Sequence, residues 1–156
     1  MADALEHPTT NGLTINDGRI SERRFGPITR TDIVRYAGAG GDFNPIHHDD
    51  EFARSAGYPS VFAMGLFTAG LLSGYASDAF GLENIHRYSV RYTGQVYPGD
   101  TLVLQGEVAP DDDTEPGEVA FALTVRRDPG DGSGAGEVVL TGRVVARGAT
   151  DAAGVA

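Results

Sequence analysis

After Met64 the sequence divides into one long apolar block and then four alternating ones, and this division restricts the fold more than any other feature. Residues 64–80 intersperse small residues (Gly65, Ala69, Gly70, Ser73, Gly74, Ala76) with Leu66, Leu71, Leu72 and Tyr75. A segment this long and apolar on nearly all sides reads as a buried helix. Its small residues are expected to let a sheet or another backbone approach closely. Beyond Gly81 the period becomes two. Tyr88, Val90 and Tyr92 alternate with Arg87, Ser89, Arg91 and Thr93 across 85–93. Leu102, Leu104 and Val108 form a second set, Val119, Phe121, Leu123 and Val125 a third, and Val138, Leu140, Val144 and Ala146 a fourth. Tyr97-Pro98-Gly99-Asp100, residues 111–117 and residues 128–136 separate them with turn chemistry. Four strands with short links predict an antiparallel sheet, and with the helix before them the class is α+β.

The N-terminal part is built of shorter pieces. Residues 1–14 read as a loose polar tail, and Ile20 to Phe25 as a short strand. Thr29-Arg30-Thr31-Asp32 has the spacing of a helix start, an acid following a Thr at three residues. Ile33, Val34, Tyr36 and Ala37 then supply one or two turns before the glycine cluster. Asp49 to Ala56 predicts another short helix with acids in its first turn. No repeat divides the chain, so a single domain is expected over residues 15–148, with tails at 1–14 and 149–156.

Between these helices lies Gly41-Asp42-Phe43-Asn44-Pro45-Ile46-His47-His48-Asp49. Pro45 has no N–H and biases Asn44 away from helical geometry, so acid, amide and imidazole sit on a shaped loop. Such loops carry function more often than packing. Taken singly, Asp42 is an ordinary turn residue and His47 an ordinary histidine. Together, a carboxylate and an imidazole can share the handling of one water and one proton.

Composition limits what that chemistry serves. The formal charge of -10 excludes nucleic acid and anionic membrane as expected partners. Without cysteine there is no disulfide and no thiolate. No apolar run reaches the roughly 20 residues of a membrane helix, and Met1 to Thr10 lacks the pattern of a secretion signal. A cytoplasmic location is the expectation. The acids after His48 are better explained by a helix start than by a metal site. Asp128-Pro129-Gly130-Asp131-Gly132 lacks the calcium-loop pattern, and the glycines at 38–41 lack nucleotide-loop spacing. No metal and no cofactor are expected. Arg87 and Arg91 share a strand face, read as solvated.

Residues 36–47, Tyr36 through His47, resemble the hydratase motif of the MaoC-like dehydratases, the (R)-specific enoyl-CoA hydratases. The likeness continues through 49–56, through Gly65 to Ser73, and through Arg91-Tyr92 to the Pro98-Gly99-Asp100 turn. It implies a hotdog fold, a long central helix wrapped by an antiparallel sheet, in a homodimer or higher homo-oligomer with sites near the subunit interface. It implies Asp42 and His47 as the catalytic pair, with Asn44 shaping the loop. It further implies the Gly65 N–H as donor to the thioester carbonyl, and Ser73 as a site residue two turns along. The substrate would be an acyl-CoA or acyl-carrier-protein thioester. Asp42 is assigned the water and His47 the proton to carbon, although the opposite order fits the same residues. Two positions depart from the family pattern. Met64 stands where a His often precedes the glycine, and Ser60-Val61 replaces a basic residue followed by proline.

The leading expectation is (R)-specific hydration of a trans-2-enoyl thioester, or its reverse. A hotdog thioesterase would not need the Asp-x-Asn-Pro-x-His arrangement. A non-catalytic subunit partnered by a catalytic sister chain would need neither Asp42 nor His47.

Overall fold

The computed structural model describes residues 13–110, 114–128 and 136–147. Most of the expected tails at 1–14 and 149–156, and residues 111–113 and 129–135 of the expected loops at 111–117 and 128–136, lie outside the described residues. The elements run β1 (Ile15–Asn16), β2 (Arg19–Phe25), α1 (Arg30–Gly40), α2 (Asp50–Ser55), α3 (Gly65–Phe80), β3 (Ile85–Tyr92), β4 (Thr101–Val108), β5 (Glu118–Asp128) and β6 (Val138–Arg147). The six strands form one sheet in the order β1-β2-β4-β5-β6-β3, antiparallel throughout. This is the α+β hotdog arrangement that the sequence predicts.

Three details differ from the expectation. The two-residue β1 adds a strand that no apolar pattern announced. α1 runs on through Gly38 to Gly40, because its capping box at Thr29 and Asp32 is complete and nothing before Gly41 forces a stop. Consecutive strands are not all neighbours either. β3 pairs with β6 at the sheet edge, so residues 93–100 carry the chain past β6 and β5 to reach β4.

α3 lies against β3, β5 and β6. Phe67, Leu72, Tyr75, Ala76, Ala79 and Phe80 form its buried face, and Phe80 meets Phe121 of β5 at a ring distance of 4.9 Å. The close approach uses a glycine on each side: a Cβ on Gly65, at the start of the helix, would meet the Tyr92 ring of β3 at 2.8 Å. A Cβ on Gly142 of β6 would meet the Leu72 side chain at 2.9 Å, whereas Cβ atoms on Gly70 or Gly74 would meet nothing within 4 Å among the described residues. Two tyrosine hydroxyls are tied to the backbone. The Tyr75 hydroxyl donates to the Ser21 carbonyl (3.0 Å) and the Tyr88 hydroxyl to that of Ala69 (2.9 Å). Burial pushes the Tyr75 phenol well above its usual range and that of Tyr88 up to about 12.

Candidate active site

The loop from Gly41 to Asp49 is shaped by a glycine and by side-chain caps that the sequence supplies for it. Gly41 ends α1 with φ 69°, a left-handed conformation that strains a residue carrying a Cβ. The Asp42 N–H returns to the Ala37 carbonyl at 3.1 Å. The Asp42 Oδ1 then accepts the N–H of Asn44 (3.3 Å), and the Asn44 Oδ1 accepts that of Ile46 (3.1 Å). Asn44 thereby caps the short 3-10 turn Pro45–His47, in which Pro45 occupies a position that lacks a backbone donor at no cost. Asp49 caps α2 through the N–H groups of Glu51 and Phe52.

These turns bring Asp42 and His47 together. The Asp42 Oδ2 stands 3.6 Å from the His47 Nε2, just beyond direct hydrogen-bond length. The His47 side chain is buried to all but 10% of its surface, whereas that of Asp42 is 47% exposed. The other ring nitrogen, Nδ1, lies 2.7 Å from the carbonyl oxygen of Phe62. A carbonyl only accepts, so Nδ1 carries the proton, and in the neutral ring Nε2 presents its lone pair toward Asp42. The Phe62 ring also packs edge-on against the imidazole at 5.3 Å.

Phe62 is held in turn by a clamp. Asp50 of α2 accepts the Val61 N–H (3.1 Å) and the Arg30 guanidinium (2.7 Å), which ties α1, α2 and the segment before α3 together. The Val61 N–H, and after it Arg30, hold the Asp50 carboxyl below its ordinary range. A proline at 61 would have no N–H to give, so the departure at Ser60-Val61 has a structural use here. From the other side the Ala63 N–H donates to the Val96 carbonyl (2.8 Å), and Tyr97 sets its ring 6.3 Å from that of Phe62. Asp100, 4% exposed, accepts the Tyr97 N–H (2.8 Å), while Arg127 lies over the Tyr97 ring.

Beside Phe62 a cleft of about 180 Å³ opens at the head of α3, lined by Phe62, Gly65, Thr68, Tyr92 and Gln95 among others. Met64, the N-cap, makes no side-chain cap hydrogen bond, so no side chain of the cap takes up the first-turn N–H groups. Gly65 is the first helical residue, and the Tyr92 ring fills the space a Cβ would need there, at 2.8 Å. Gly65 is thus placed beside the residue that anchors His47. Ser73 is not: it sits about 12 Å along the axis, its hydroxyl donates to the Gly70 carbonyl (2.9 Å), and it does not line this cleft. Among the described residues no group of three or more His, Asp or Glu is arranged to hold a metal ion. No helix there is long and apolar enough to cross a membrane.

Sequence reasoning did not reach Phe62, Thr68, Tyr92 or Gln95. Phe62 acts on His47 through its backbone, which leaves no trace in residue type. Thr68, a polar residue at the start of an apolar helix, was the available signal.

The MaoC like domain family matches residues 14–126. The chain is 39% identical over 67 residues to enoyl-CoA hydratase ChsH3 of Mycobacterium tuberculosis, covering 41% of this chain and 23% of that protein. It is 42% identical over 69 residues to 3-hydroxyacyl-thioester dehydratase X of the same organism, covering 44% and 24%. It therefore spans about a quarter of the length of these relatives. Among solved structures, a chain of the ChsH1-ChsH2 complex from Mycobacterium tuberculosis superposes with a TM-score of 0.68 at 25% identity, covering 85% of this chain and 98% of that one.

Proposed function

The chain belongs to the MaoC-like domain family, and from that premise we propose that it hydrates trans-2-enoyl-CoA to (R)-3-hydroxyacyl-CoA or runs the reverse dehydration. The observation that carries this reading is the pairing of Asp42 Oδ2 and His47 Nε2 at 3.6 Å, with Nδ1 occupied by the Phe62 carbonyl. Two groups at that separation can both reach one water at hydrogen-bond length. The carboxylate takes a proton from the water as its oxygen adds to C3, and the imidazole, entering this step protonated on both nitrogens, delivers its Nε2 proton to C2; the Asp42 carboxyl then returns its proton to Nε2. The opposite assignment balances equally. Negative charge that develops on the thioester oxygen meets the N-terminus of α3 at Gly65, where backbone N–H groups and the helix dipole favour an anion. Asn44 holds the loop in shape while its side-chain NH2 stays available to substrate, and Ser73 would serve the distal acyl chain.

A second copy of the chain is the proposed partner. β3, eight residues long, is the terminal strand of the sheet among the described residues, and an edge strand is a template for strand addition. The likeness to a chain of a two-protein complex supports a second reading, a subunit that works beside a different sister chain.

The test is crotonyl-CoA mixed with the purified protein, followed by loss of the enoyl-thioester absorbance, with chiral analysis of the product. Formation of the (R)-alcohol by the chain alone supports the reading. An inert protein with crotonyl-CoA and with longer or carrier-bound enoyl thioesters sinks it in favour of the partnered subunit.

A further inference from the structure

The cleft at the head of α3 contains a polar group that the Asp42–His47 mechanism does not use. Thr68 is only 4% exposed, and among the described residues its hydroxyl makes no hydrogen bond. None of the described buried side-chain polar atoms is both fully enclosed and without a partner, so this hydroxyl opens onto the cleft that Thr68 lines. Thr68 follows Gly65 by three residues, which puts both on one face of the helix. Side chains on a helix lean toward its N-terminus, so the hydroxyl is directed to the turn where the Gly65 N–H lies. The absence of a side-chain cap from Met64 leaves that turn open. Tyr92 and Phe62 wall the cleft with rings.

Resting on the hydratase reading, we propose that Thr68 is a substrate-binding residue whose hydroxyl is a second donor to the thioester oxygen, beside the Gly65 N–H. Two donors converging on one oxygen polarise the enoyl thioester and stabilise the enolate better than one.

The experiment compares wild type with Thr68→Val, which keeps the shape, Thr68→Ala, which cannot be overpacked, and Thr68→Ser, which restores the hydroxyl. Steady-state hydration of crotonyl-CoA gives kcat and KM. Difference infrared spectra of carbonyl-labelled crotonyl-CoA bound to each protein give the polarisation directly. The expected result is a loss of about 100- to 1,000-fold in kcat for Val and Ala, with KM moving less, and recovery in Ser. The bound carbonyl band should shift back toward its free position in Val and Ala only. Wild-type kcat and an unchanged band in either hydroxyl-free variant would overturn the role of Thr68 and leave the hydratase reading standing. A wild type that neither binds nor hydrates any enoyl thioester overturns both.

Discussion

The carbonyl oxygen of Phe62 lies 2.7 Å from the Nδ1 of His47, so a backbone atom fifteen residues downstream decides which imidazole nitrogen faces Asp42. Replacement of the acid or the imidazole should therefore remove the same function by different routes. Asp42→Asn keeps the turn but no longer accepts a proton. His47→Ala removes the proton carrier and leaves the Phe62 carbonyl without its partner. Each should lower kcat by about 100- to 10,000-fold, read from the enoyl-thioester absorbance. His47→Ala alone should also lower stability by about 1–3 kcal/mol in urea melts, through the acceptor it orphans. Activity within tenfold of wild type in either variant would contradict the assignment.

Phe62 gives a test of positioning. Phe62→Ala keeps the carbonyl but removes the ring that meets His47 edge-on and lies against Tyr58 and Tyr97. The anchor then loosens, and the pH profile of kcat/KM should move along with its height. A variant that loses stability while its pH profile stays in place would make Phe62 a packing residue only.

Glycines at two places should respond in opposite directions. Gly142→Ala drives a methyl group to 2.9 Å from Leu72 under α3, an overpacking expected to cost about 1–3 kcal/mol. Gly38→Ala falls within α1, where an added Cβ meets nothing within 4 Å, and should stabilise by about 0.5–1 kcal/mol. Denaturant midpoints of the two variants on opposite sides of wild type are the outcome to look for.

Stability should fall at both ends of the pH range, for different reasons. The Asp50 carboxyl is held below its ordinary value of 3.8 by the Val61 N–H and then by Arg30. Its contribution is complete above that value and disappears as pH drops through the depressed folded one. Tyr88 is raised by burial from 10.0 to about 12, so the unfolded chain ionises first and stability declines as pH rises between those values. Thermal melts across pH would show both limbs. The acid limb should weaken in Asp50→Asn and the alkaline limb in Tyr88→Phe.

A second copy on β3 predicts a solution mass about twice the 16.4 kDa of one chain. Sedimentation velocity over a dilution series reads it directly. A monomer at every concentration that still turns over substrate would remove the dimer from the proposal.

The parts of the molecule specified by near neighbours were legible in the sequence. The helix at 65–80, the four period-two strands, the Thr29 cap and the Asp42-to-His47 loop each depend on residues a few positions apart. What escaped was set by distant partners. β1 is two residues long and exists because β2 is beside it. The strand order depends on β3 choosing β6, which local patterning does not encode. Of the helix glycines that suggested close packing, Gly65 does meet the sheet, at Tyr92, whereas the room beneath the middle of α3 comes from Gly142 on a strand. In the site, the anchor of His47 is a carbonyl and the open hydroxyl belongs to the neighbouring helix. Neither has a sequence spacing to betray it.

The pairing of β3 with β6 also sets an order of events in time. A strand completed at Tyr92 finds its neighbour only when residues 138–147 have been made, and until then α3 also lacks its contacts with β6. Closing so long a loop is slow relative to forming a hairpin, and an exposed strand edge invites other chains meanwhile. During synthesis the loop that carries Asp42 and His47 would thus leave the ribosome early, and the last strand would be what commits the domain to fold. Chains that stop short of β6 should aggregate rather than accumulate as partly active protein.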